Sequence, residues 1–151
     1  MSVEVVVQYA VDPPTALPSK KTITIWVKAA LAGRREEAQV TVRIVDEEEG
    51  SELNQRWRKR AGPTNVLSFP STGLERIAPA LLGDIVICAP VVEREAQHQR
   101  KALRAHWAHM VIHGTLHLLG LDHIEEQQAL IMEQLETEIL GRLGYADPYS
   151  P

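Results

Sequence analysis

DIVICAPVVEREAQHQRKALRAHWAHMVIHGTLHLLGLDH, residues 84–123, decides how the chain folds. Asp84 to Cys88 is a short β-branched run between Gly83 and Pro90 and reads as a strand. Pro90 suits a first helical turn, and no further Pro or Gly occurs until Gly114, so the chain reads as helical to Leu119. That is long for one helix of a small domain, and a break is expected near Lys101 to Ala105.

Upstream, Val3, Val5, Val7 and Tyr9 alternate with Glu4, Val6 and Gln8, a strand pattern that Asp12, Pro13, Pro14 and Pro18 end. Ser19 can cap a helix through about Ala32, with Ile23, Trp26, Val27 and Ala30 on its apolar side and Gly33 as its stop. Val40, Val42 and Ile44 alternate with Thr41 and Arg43 as a second strand, and the acidic run Asp46 to Glu49 reads as a solvated turn. Ser51 to Arg60 predicts a short helix, Asn65 to Phe69 a third strand, and Pro70 to Gly83 a loop before the fourth. A last helix runs from about Glu125 to Leu143, where Ile131, Leu135, Ile139 and Leu143 recur at i, i+4 before Gly144. This order predicts a single-domain α/β (α+β) fold, a four-stranded mixed sheet covered by five or six helices, over residues 1–151.

With 151 residues and 44% hydrophobic content, one compact core suffices. The net charge of -4 excludes a protein that coats nucleic acid by bulk attraction, so any such contact must come from a local patch. No apolar run approaches the roughly 18 residues of a membrane span, and MSVEVVVQYA has no basic leader, so no membrane association is expected. Cys88, the single cysteine, excludes an intramolecular disulfide and suits a reducing compartment; the chain is read as cytoplasmic.

Within HGTLHLLGLDH, His113 and His117 lie one helical turn apart, so both imidazoles project from one face and can share an ion. Gly120 lets the chain leave the helix, and His123 can return to the same ion. Three imidazoles at about 2.0–2.1 Å leave the fourth tetrahedral position to water, as in a catalytic zinc site. The HxxxHxxGxxH spacing is similar to that of the metzincin zinc peptidases. Those enzymes carry Glu directly after the first His as general base, and Gly114 stands there in this chain. A histidine-rich helix that only packs and caps is the competing reading, and four matched positions weigh against it.

His106 and His109 fall in the same helical stripe, and His109 with His113 forms a second i, i+4 pair. No third ligand returns to that pair after a turn, so both are read as supporting or groove residues, with a structural role left open; His98 is expected to be exposed. Asp122 can orient an imidazole or accept a proton, or simply form the turn after Gly120. Histidine ligands need a hydrogen-bond acceptor behind them, and no residue identifies itself as that group.

Arg56, Arg58, Lys59 and Arg60 place four cations in five residues just before PTNVLSF, either as a solvated helix face or as a phosphate contact. Taken with the histidines, this segment resembles the YbeY family of bacterial metallo-endoribonucleases, the rRNA maturation factors. The resemblance runs through LNQRWRKRAGPTNVLSFP (53–70), LGDIVICAPVVEREAQ (82–97), HWAHMVIHGTLHLLGLDH (106–123) and ETEILGRLGYADPY (136–149).

The resemblance implies one zinc ion on His113, His117 and His123, and an essential arginine at Arg58. In the family that arginine is commonly followed by Gly, whereas this chain has Lys59, and Arg56 is a rival for the role. It further implies a cytoplasmic RNase directed at single-stranded rRNA, acting with the small ribosomal subunit at the 3′ end of 16S rRNA and in ribosome quality control. Arg58 and Asp122 are then the expected catalytic residues, and Arg56, Lys59, Arg60 and His109 the expected RNA contacts. Trp57, Trp107, Phe69, His106 and His109 could meet unstacked bases, although the two tryptophans read more naturally as buried helix anchors. Zinc can activate water without a Glu base, or act only as Lewis acid while the RNA 2′-OH attacks. Two rivals stand beside this reading: a peptidase-like zinc hydrolase, and a ribosome assembly factor whose zinc is structural.

Overall fold

The computed structural model describes residues 2–12, 17–71, 77–121 and 125–150. Its elements are β1 (Ser2–Ala10), α1 (Lys20–Leu31), β2 (Glu37–Val45), α2 (Glu47–Arg58), β3 (Val66–Pro70), β4 (Leu81–Cys88), α3 (Ala89–His98), α4 (Leu103–Leu118) and α5 (Glu126–Arg142). The strands form one mixed sheet in the order β1-β2-β4-β3. β1, β2 and β4 run parallel, and β3 returns antiparallel on β4 at one edge. This is the expected α/β architecture, with five helices among the described residues.

The sheet separates two apolar layers, because successive strand residues face opposite sides. Ile85 and Ile87 of β4 join Val40, Val42 and Ile44 of β2 in the large core, where α1, α4 and α5 contribute Trp26, Ile112, Leu116, Met132 and Ile139. Val86 and Cys88 face the other way, into a small cluster with Val45, Leu67 and Val91, against which Leu53 of α2 and Phe69 pack. Almost every residue of α4 from His106 to Leu118 is buried, since this helix touches α1, α3 and α5 as well as β3 and β4. His106 and His109 are thereby enclosed, whereas His113 and His117 are only partly buried.

Two expectations need correcting. The acidic run is not a solvated turn: Asp46 caps α2, accepting from the Glu49 backbone N–H at 3.0 Å, and Glu47, Glu48 and Glu49 form its first turn. Carboxylates there complement the positive end of the helix dipole. The apolar side of α5 is also shifted from the one read from the sequence: Ile139 is buried and Leu135 and Leu143 pack partly buried against the core, but Ile131 is exposed, and Met132, Glu136 and Leu140 complete the buried stripe. A glutamate on the inner face is tolerable only when hydrogen-bonded, and Glu136 is. The helix break falls at residues 99–102, where Arg100 takes a left-handed conformation with φ 55°.

Candidate active site

Gly114 sets how closely α4 approaches the sheet. A Cβ at this position would lie 2.8 Å from Ile85 Cγ2 and 3.2 Å from Val66 Cγ2, so only glycine lets the helix settle onto β3 and β4. Ser68 Oγ donates to the Gly114 carbonyl at 3.0 Å and fixes β3 against the helix. Four residues later the helix ends as expected: Gly120 has φ 97°, its N–H donates to the His117 carbonyl, and Leu121 N–H reaches the Leu116 carbonyl. This pair of bonds is a Schellman cap, which turns the chain back toward the helix face.

His113 and His117 project side by side from α4, their ring centroids 4.7 Å apart. Both are partly exposed and line a cavity of about 510 Å³. Arg58, the last residue of α2, and Arg60 line the same cavity, as do Thr64 and Ser68. The segment that carries the arginines is anchored locally: Lys59 closes α2 in the left-handed region (φ 57°), and buried Asn54 donates to the Gly62 carbonyl at 2.8 Å. Arg56 lies elsewhere, beside Asp46, Glu48, Glu49 and Glu52 on the acidic side of α2, and Lys59 is not among the cavity residues. Asp122 and His123 lie outside the described residues.

Behind the histidines is a carboxylate that the sequence reading did not single out. Glu136, 0% exposed, accepts from His113 Nδ1–H at 2.9 Å and from His109 Nε2–H at 3.2 Å, and the Tyr149 hydroxyl donates to it as well. Burial opposes ionisation of Glu136, but the hydrogen bonds and charge of His109 and His113 outweigh it and hold the carboxyl down to about 2. Tyr149 is pushed well above the ordinary phenol range by burial and by the neighbouring carboxylate. The available signal was a glutamate at i+4 from Met132 and i−4 from Leu140, hence on an apolar stripe.

His109 is expected to touch RNA, but it is buried at 7% exposure beneath Glu136 and Tyr149, and lines a different cavity with Lys101 and Tyr145. Its place on the inward side of α4 explains the difference. His106 is buried too and donates through Nε2 to Glu95 at 2.9 Å, while Asn65 Nδ2 donates to the same carboxylate. Trp107 is a buried anchor at 2% exposure, as expected, whereas Trp57 is 60% exposed.

Among the described residues, His109, His113 and Glu136 bring three ligand atoms within 4.8 Å of one another, a set that could hold a metal ion. The donor chemistry also fits a metal on the cavity side: two imidazoles share a helix face, and one has its Nδ1 fixed by a buried carboxylate, which leaves the ligand role to Nε2. Arginines and paired histidines that line one cavity make a site suited to an anionic, phosphate-containing substrate.

Fold and cavity together describe a small α/β protein whose paired histidines and two arginines line one cavity. The family described as Endoribonuclease YbeY matches residues 15–144, and the chain belongs to this family. Its fold is similar to the solution structure of TM1509 from Thermotoga maritima, with a TM-score of 0.59, 23% identity and 99% of each chain covered. Among the described residues no helix is long and apolar enough to cross a membrane.

Proposed function

We propose that this chain is a zinc-dependent, single-strand-specific endoribonuclease that processes rRNA, with the 3′ end of 16S rRNA in the small ribosomal subunit as its target and the cytoplasm as its setting. The observation that carries the reading is the shared cavity, which Arg58 and Arg60 line together with His113 and His117. His113, His117 and His123 would hold the ion, the last on the strength of its spacing after the Gly120 turn. Zinc bound there would supply Lewis acidity toward a phosphoryl oxygen or water.

The protein's own groups do the rest. Glu136 holds the His113 ring in one tautomer and orientation through Nδ1. Arg58 offers a planar fork to the non-bridging phosphate oxygens as negative charge builds on them, a role for which lysine is a poor substitute. Arg60 adds a second cation to the lining of the same cavity. Asp122 is assigned to proton transfer or to orienting His123. Gly114 speaks against the peptidase alternative, since the base that such enzymes place there has no room between α4 and the sheet.

A second metal assignment rests on the His109, His113 and Glu136 cluster. Zinc content and RNA cleavage of three purified variants separate the two. His117→Ala should lose both, His109→Ala should keep its zinc, and Arg58→Ala should keep zinc while losing cleavage. Zinc retained in His117→Ala and lost in His109→Ala would move the site to the buried cluster. Arg58→Ala weakening RNA binding with no turnover to lose would favour the non-catalytic assembly factor.

A further inference from the structure

Trp57 occupies a position that packing does not explain. Trp26 and Trp107 are each 2% exposed, whereas Trp57, in the last turn of α2, leaves most of its indole in water. The ring is nonetheless held: Phe69 of β3 meets it edge to face, with centroids 6.0 Å apart and planes at 71°. Phe69 in turn packs on the small cluster of Leu67, Val86 and Cys88, so the platform rests on the sheet.

Cations adjoin it in sequence. Arg58, Lys59 and Arg60 directly follow Trp57, and among the described residues no side-chain hydrogen bond or ion pair engages any of them, whereas Arg56 lies on the acidic side of α2. At the other end of the helix, by contrast, Glu47 and Glu49 are paired with Arg94 and Arg43. β3 adjoins both the cavity and the indole: Val66, Leu67 and Ser68 line the cavity, while Phe69 meets Trp57. A strand leaving the cavity over this sheet edge would meet a rigid aromatic face next to the unpaired cations Arg58, Lys59 and Arg60.

We propose that Trp57, buttressed by Phe69, is a stacking platform for the base of a nucleotide flanking the cleaved bond, with Lys59 and Arg60 taking the adjoining phosphates. This rests on the endoribonuclease reading above and adds a specificity residue outside the cavity. Stacking on an aromatic face is indifferent to base identity and requires an unstacked base, so it favours single strands over duplex.

Two measurements on the full chain test it: cleavage kinetics on a single-stranded RNA, and tryptophan emission titrated with a 2′-O-methyl oligonucleotide. Trp57→Leu should raise KM about tenfold with kcat within about twofold, and Trp57→Phe should recover most of the loss. The oligonucleotide should quench wild-type emission and leave that of Trp57→Leu unchanged, because the two remaining indoles are buried. Unmoved emission, or an unchanged KM in Trp57→Leu, overturns the proposal and would point to a protein partner for this face. If wild-type protein cleaves no RNA, the nuclease reading fails, and quenching confined to Trp57 still decides whether a base stacks there.

Discussion

Glu136 of α5, fully buried, accepts a hydrogen bond from Nδ1 of His113 of α4 at 2.9 Å. A carboxylate behind a ligand histidine fixes its tautomer and raises its basicity, and loss of such a group typically costs about 10–100-fold in metal affinity. Glu136→Gln should therefore fold, since the amide can still accept from one imidazole, but bind zinc at least about tenfold more weakly. Competition with a chelating indicator measures this directly. Unchanged affinity would mean that the His113 contact serves packing alone.

Gly114→Ala should destabilise the fold by about 1–3 kcal/mol, because the added methyl overpacks the seam between α4 and the sheet. The nearest obstacle, Ile85 Cγ2 at 2.8 Å, belongs to a fully buried side chain that cannot swing away cheaply. Gly114→Glu, which restores the peptidase-like sequence, should fold worse still and gain no activity on casein. Urea unfolding of the alanine variant checks the first statement; a midpoint equal to wild type would show that the helix can lift without cost.

Elements with strong periodicity or clear punctuation were legible in the sequence. Ser19 caps α1 as read, Gly120 ends the histidine helix as read, and the alternating valines of β1 and β2 became parallel neighbours. Strand order was not legible, because pairing depends on which apolar faces meet and not on local pattern. The candidate site divides the same way. The His113 and His117 pair follows from helical spacing, but Glu136 could be found only by knowing which stripe of α5 turns inward. Its burial hides behind Leu135 and Ile139, which make an equally good i, i+4 pattern one residue away. Trp57 reads as a helix anchor by composition alone; that it stands clear of the core follows from α2 ending at the sheet edge.

Lys59 should be replaceable with profit by glycine. Its backbone sits at φ 57°, ψ 33°, where a side chain costs about 1–2 kcal/mol, part of which the extra freedom of glycine in the unfolded chain gives back. Lys59→Gly should raise stability by up to about 1 kcal/mol, whereas Lys59→Ala, which keeps a Cβ, should not. Thermal melts of both variants compare them. A glycine variant no more stable than the alanine one would place the αL strain outside the energetics of this turn.

Glu95 gives the fold a pH dependence that is separate from the cavity. Its carboxyl is held below the usual 4.5 first by the hydrogen bond from His106, against the opposing effect of burial, with Asn65 adding a second donor. A depressed native pKa means that the unfolded chain takes up its proton first as the pH falls. The stabilisation is thus complete at neutral pH, begins to fade near 4.5 and is lost as the pH drops through the native value. A charge-assisted hydrogen bond at a partly exposed carboxylate is worth about 1–2 kcal/mol. Glu95→Gln should therefore lie below wild type by that amount at neutral pH and approach it in acid. Urea titrations of both proteins from pH 7 down to about pH 3 give the comparison, and a gap that stays constant across the range would remove ionised Glu95 as its source.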